Sequence, residues 1–169
     1  MSLVHKAKPL NGNSYDANNF PRSLYAYYSS SIYTGGSTLY ETATTCAFYD
    51  DEKGSYYTNQ DYATLGFVSK YDEKFCATKA SIKGLAGNSN QPLYNLDIIG
   101  FTDTTFENYD TIASFSPKLT NTSLATNTFE FENTKKYVGY GIKITNSSTA
   151  YGTNRGGYGC YRIYNLSFS

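Results

Sequence analysis

Tryptophan is absent from this 169-residue chain, histidine occurs once, at His5, and proline only four times. A lone histidine with no Cys-x-x-Cys makes a zinc site unexpected. No Gly-x-Ser-x-Gly and no His-Glu-x-x-His occurs, so neither a Ser-His triad nor a zincin centre can be built. Net charge is also missing: 14 basic residues balance 14 acidic ones, which removes any general pull toward nucleic acid or anionic lipid. The opening stretch, MSLVHKAKPLNGNSYDANNF, holds no apolar run long enough for a signal peptide or a membrane span, so no membrane insertion is expected. Cys46, Cys76 and Cys160 are odd in number and widely spaced. Free thiols are the default for such a set, and one disulfide plus a free thiol is the alternative in an exported chain.

What is abundant is tyrosine, with 19 copies, joined by 10 phenylalanines. Aromatic residues at this density favour strands. Helical periodicity is almost absent, whereas alternation recurs at Leu65-Gly66-Phe67-Val68, Tyr94–Ile98, Thr128–Glu132 and Val138–Ile144. Turn-rich segments at 86–92, 102–108, 116–127 and 145–159 separate these runs. The pattern predicts an all-β, antiparallel two-sheet β-sandwich of jelly-roll type. Its core should contain Phe129, Phe131, Val138, Tyr140, Ile142, Ile144, Leu166 and Phe168. Residues 1–20 read as an extended N-terminal arm, docked on another subunit or along its own domain, and 21–169 as a single domain. The chain closes on GGYGCYRIYNLSFS, where Cys160, Tyr164, Leu166 and Phe168 share one parity and predict a final core strand.

Several stretches resemble the discoidin-like (coagulation-factor type C, galactose-binding-like) domains. In PLYNLDIIGFTDTTFENYDTI, Gly100, Thr102 and Asp103 fall at that family's strand exit, Tyr109 stands where its Trp would be and Ile112 where its Leu would be. FEFENTKKYVGYGIKITNSS resembles the paired strands that follow, and CYRIYNLSFS the closing strand. Upstream, CAFYDDEKGSYYTN is similar to the family's Ala-Phe-Asp-Gly loop with one extra residue, and Tyr57 falls at its second Trp. The resemblance covers about residues 40–169. It implies a jelly roll that ends on a core strand. It also implies a structural calcium in the CAFYDDEKG loop, with Asp50 and Asp51 as its oxygen donors; solvated turn carboxylates without metal are the other reading of that pair.

A sugar needs an aromatic platform for its C–H face and fixed donors and acceptors for its hydroxyls. The loop NSSTAYGTNRGGYG offers Tyr151 and Tyr158 for stacking and Asn154 and Arg155 for polar contacts. The loop SYYTNQDY adds Tyr56, Asn59 and Asp61. Asp103 and Glu107 read as turn acids rather than as a catalytic pair. With no signal peptide in view and no catalytic constellation, the expectation is a non-catalytic bacteriophage virion module, not an enzyme. Such a module would be a capsid decoration, head fibre or tail component, oligomeric in its particle, that grips a host surface glycan or neighbouring virion subunits. The alternative is a carbohydrate-binding module of a secreted bacterial glycosidase.

Overall fold

The computed structural model describes residues 25–29, 56–58, 62–83, 95–117, 126–145, 161–163 and 165–169. All regular structure among them is extended: β1 (Tyr25–Ser29), β2 (Tyr56–Thr58), β3 (Tyr62–Ser69), β4 (Lys79–Lys83), β5 (Asn95–Phe101), β6 (Tyr109–Phe115), β7 (Thr126–Glu130), β8 (Gly139–Thr145), β9 (Tyr161–Ile163) and β10 (Asn165–Phe168). Among the described residues no helix is long and apolar enough to cross a membrane. The N-terminal arm, Cys46 and Cys160 lie outside the described residues, and Cys76 is a free thiol.

The strands form a five-stranded sheet in the order β1-β3-β8-β5-β6, a three-stranded sheet β10-β4-β7 and a two-stranded ribbon β2-β9. Every pairing is antiparallel. This is an antiparallel β-sandwich. Alternation decides what lies between the two larger sheets. Tyr140, Ile142 and Ile144 of β8, Ala80 and Ile82 of β4 and Leu166 and Phe168 of β10 belong to one buried cluster. All eight residues expected in the core are buried.

A second, smaller cluster of Val68, Ile99, Phe101 and Val138 forms with Ala26 and Phe106 packed against it. It exists because residues of opposite parity in β3 and β5 are also apolar. The Phe101 ring fits there only over glycines: a Cβ on Gly66 would sit 2.5 Å from its Cε2, and one on Gly141 3.1 Å away. In the β5–β6 pairing Ile98 faces Ala113 but Ile99 faces Thr111, so Ile112 is the extra residue of a β-bulge.

The closing segment differs from expectation. One continuous strand from Cys160 was predicted, with one parity inward. Instead β9 pairs with β2 and β10 with β4. Ile163 is buried as well as Leu166 and Phe168, so the inward parity changes across residue 164. Two different partners, one in the ribbon and one in the three-stranded sheet, require that change of phase. The final strand is nevertheless a core strand, with Phe168 fully buried.

Candidate functional site

Strand register determines which connections share an end of the sandwich. Tyr62, the first residue of β3, is opposite Thr145, the last of β8, and Asn95 at the start of β5 is opposite the same Thr145. Phe115, the last residue of β6, is opposite Leu96. The chain therefore leaves or enters β3, β5, β6 and β8 at one end through 59–61, 84–94, 116–125 and 146–160. Thr58 of β2 is opposite Tyr161 of β9. Residues 59–61 thus join β2 to β3 and 146–160 join β8 to β9, while β2 pairs with β9 and β3 with β8. Two paired strands feed two paired strands, so the flanks of these connections adjoin on both sides.

Those two connections carry most of the sequence-predicted ligand residues. Asn59, Asp61, Tyr151, Asn154, Arg155 and Tyr158 lie outside the described residues, as do Asp50 and Asp51. Tyr56 is placed by its backbone, opposite Ile163. Among the described residues no group of three or more His, Cys, Asp or Glu could hold a metal ion.

At the opposite end the connections 70–78, 102–108 and 131–138 are described, and several of their polar groups are engaged in structure. At the 102–108 turn, Asp103 accepts from the Thr105 amide at 2.9 Å, the Thr105 hydroxyl at 2.6 Å and Asn108 Nδ2 at 2.6 Å. The Thr105 hydroxyl and amide and the Asn108 amide hold the Asp103 carboxyl below the usual carboxylate range. Phe106 takes a left-handed φ of 65° at the tip, which places its ring against Phe101 at 5.1 Å and Tyr28 at 5.1 Å. Asp103 is thus the turn acid expected of it.

Nearby, Lys135 Nζ donates to Asp110 at 2.6 Å and the Tyr137 hydroxyl to the same oxygen at 2.8 Å. These two bonds lower the Asp110 pKa, and burial together with the bond to Asp110 pushes the Tyr137 phenol up to about 12. Lys143 Nζ donates to the Tyr109 hydroxyl at 3.0 Å, and Tyr109 packs edge-on to Phe101 at 6.2 Å. Deeper, the fully buried Tyr140 accepts from the Ala77 amide at 2.8 Å and Asn133 Nδ2 at 3.1 Å, and donates to the Phe75 carbonyl at 2.9 Å. Burial pushes this phenol, too, up to about 12.

Sequence reasoning missed one concave feature. A groove of about 610 Å³ lies where β4, β7 and the last residue meet, lined by Thr78, Lys79, Glu130, Phe131, Glu132 and Ser169. Alternation marks Lys79 and Glu130 as outward residues, but only the β4–β7 register makes them neighbours.

No protein-family model matches the chain, and no curated protein matches it in sequence. Solved structures do match in fold. The Clostridium perfringens module CpGH89CBM32-5, in complex with GalNAc-β-1,3-galactose, superposes with a TM-score of 0.61 at 13% identity, over 88% of this chain and 96% of its own. The family 32 carbohydrate-binding module of C. perfringens NanJ, in complex with galactose, gives 0.56 at 15% identity, over 88% and 95%. Chitosan-binding module 1 from the chitosanase/glucanase of Paenibacillus sp. IK-5 gives 0.57 at 11% identity, over 85% and 93%. The chain has the galactose-binding-like β-sandwich of these carbohydrate-binding modules.

Proposed function

We propose that the protein is a non-catalytic carbohydrate-binding module of the kind attached to secreted glycosidases, and that it binds its glycan at the end of the sandwich from which 59–61 and 146–160 spring. The observation that carries this reading is the extent of the fold match: two modules solved in complex with galactose or GalNAc-β-1,3-galactose are covered over nearly their whole length by this chain. A β-sandwich holds its strand ends rigidly, which lowers the entropic cost of fixing loop side chains around a weakly bound sugar. In this reading Tyr151 or Tyr158 lies under the sugar ring, and Arg155 and Asn154 bond its polar edge. Tyr56 of β2, with Asn59 and Asp61 of the neighbouring connection, completes the site. Nothing in the neighbours supports the virion role, and the glycosidase-module alternative takes its place.

The test is a glycan array on the whole protein, followed by titration of the best ligand into Tyr151→Ala, Arg155→Ala and Tyr158→Ala. Stacking and a charge-assisted hydrogen bond are each worth on the order of 1–3 kcal/mol, so affinity should fall about five- to a hundredfold. Stability should stay within roughly 0.5 kcal/mol, as for other surface loop changes. Unchanged affinity in all three variants would move the site off the 146–160 connection, and an array without signal would refute the glycan reading.

A further inference from the structure

The groove at the opposite end has the makings of a second site. On the three-stranded sheet, Ala80, Ile82, Phe129, Leu166 and Phe168 face the core, so residues of the other parity form the outer face. There, Lys79 is directly opposite Glu130, and on the other side of Lys79 the backbone of Ser169 continues the β10 pairing, its amide donating to the Lys79 carbonyl at 2.9 Å and its carbonyl accepting from the Lys79 amide at 2.9 Å. The row Ser169, Lys79, Glu130 is therefore fixed by backbone ladders on both sides. Thr78 and Phe131 are tied to each other by the Phe131 amide, which donates to the Thr78 carbonyl at 2.9 Å. The next row of the same face is Ser167, Ser81, Thr128, with Ser81 and Thr128 hydroxyls 3.4 Å apart.

The charged groups of this groove are uncommitted. Lys79, Glu130 and Glu132 are exposed, and among the described residues none makes an ion pair or a side-chain hydrogen bond, although Lys79 and Glu130 are cross-strand neighbours. A rigid concavity with one ammonium donor, two carboxylate acceptors, neighbouring hydroxyls and the edge of a nearly buried phenylalanine meets the requirements of a ligand dense in hydroxyl groups. A volume of about 610 Å³ suits one or two sugar rings rather than a macromolecular segment. Two carboxylates against one ammonium disfavour an acidic ligand.

We infer that the groove lined by Thr78, Lys79, Glu130, Phe131, Glu132 and Ser169 is a second saccharide site, selective for neutral or amino sugars over acidic ones, at the pole opposite the 59–61 and 146–160 connections. The inference rests on the groove itself and stands or falls separately from the loop site. Hydroxyls of the sugar donate to Glu130 and Glu132, and Lys79 donates to a hydroxyl or ring oxygen. A module with sites at both poles can bridge two glycan chains.

The experiment is titration of the uniformly 15N-labelled protein with lactose, cellobiose, the glucosamine dimer and digalacturonate, each to about 10 mM, which approaches saturation of a site with a Kd of about 1 mM. The expected result is saturable shifts of the Thr78, Lys79, Glu130, Glu132 and Ser169 amides with at least one of the first three. Glu130→Ala and Glu132→Ala should weaken that affinity about five- to thirtyfold, Lys79→Ala likewise, and Tyr151→Ala and Tyr158→Ala should leave it unchanged. The loop site reports separately, through the amides of Tyr62, Asn95 and Thr145. Groove amides that do not move with any probe would overturn the inference, as would shifts that survive all three groove substitutions or digalacturonate binding as well as the neutral sugars.

Discussion

Replacing Tyr140 by Phe removes a single oxygen and leaves the ring in its contacts with Phe75 at 4.9 Å and Phe168 at 5.4 Å. No cavity beyond that of the oxygen arises, so the cost is one of hydrogen bonding. The three partners do not suffer equally. The Phe75 carbonyl keeps a bond from the Tyr137 amide at 3.0 Å, and Asn133 Nδ2 keeps the carbonyls of Ala77 and Lys135, each at 3.0 Å. The Ala77 amide, on a fully buried residue, loses its bond to the phenol and has no other partner among the described residues. An orphaned buried N–H costs about 1–3 kcal/mol and the two weakened bonds add about 1 kcal/mol together, so Tyr140→Phe should destabilise by about 2–4 kcal/mol at neutral pH. Urea unfolding should show this as a lower midpoint with an unchanged m-value. The alkaline limb supplies a second readout. Burial raises the Tyr140 phenol to about 12 in the fold, against about 10 in the unfolded chain. Its contribution is therefore fully present below pH about 10 and is lost as pH rises toward about 12. Without this phenol the fall in stability over that range should be shallower by up to about 1.4 kcal/mol per pH unit. A variant that loses under about 0.5 kcal/mol and keeps the parent's alkaline slope would refute the network.

Two further changes probe the sandwich. Phe168→Ala empties a fully buried position beside Phe67 and Tyr140, and chemical denaturation should report a loss of about 3–5 kcal/mol. Gly139→Ala would place a Cβ against the Phe67 carbonyl and 2.6 Å from the Val68 Cα, both backbone atoms that cannot rotate away. A loss of about 1–3 kcal/mol or more is expected in thermal melts, and a neutral result would mean that β3 and β8 can separate there.

The inner face of the sandwich was legible in the sequence because its signal is local. Phe129, Phe131, Tyr140, Ile142, Ile144, Leu166 and Phe168 declare themselves through parity, and parity needs only neighbours two residues away, whereas Val138, chosen by the same parity, is buried in the second cluster instead. The turn at Asp103 was legible for the same reason, since the Thr105 and Asn108 donors it uses lie within five residues. What needs pairing information was not. Nothing in YRIYNLSF says that Ile163 answers to Tyr56 while Leu166 answers to Ile82, and the change of inward parity across residue 164 follows from that exchange of partners. The second cluster around Phe101 was hidden because glycine in a strand carries no hydrophobic signal, yet Gly66 and Gly141 are what admit the ring.

The same distinction governs the two ends. Candidate sugar contacts in 59–61 and 146–160 were chosen for chemistry alone, from two stretches far apart in the chain. Their flanks meet because β2 pairs with β9 and β3 with β8, and that coincidence is what a single glycan site assembled from both would require. At the other pole the logic runs in reverse. Lys79 and Glu130 carry no motif, and each by itself is an ordinary outward strand residue. Register places them side by side, the Ser169 ladder closes one flank, and the Thr78–Phe131 bond sets the floor. Backbone ladders fix the spacing of these groups before any ligand arrives, so the ordering cost that weakens loop-built sites is smaller here. Weak affinity with sharp dependence on Glu130 and Glu132 is the behaviour such a groove should have.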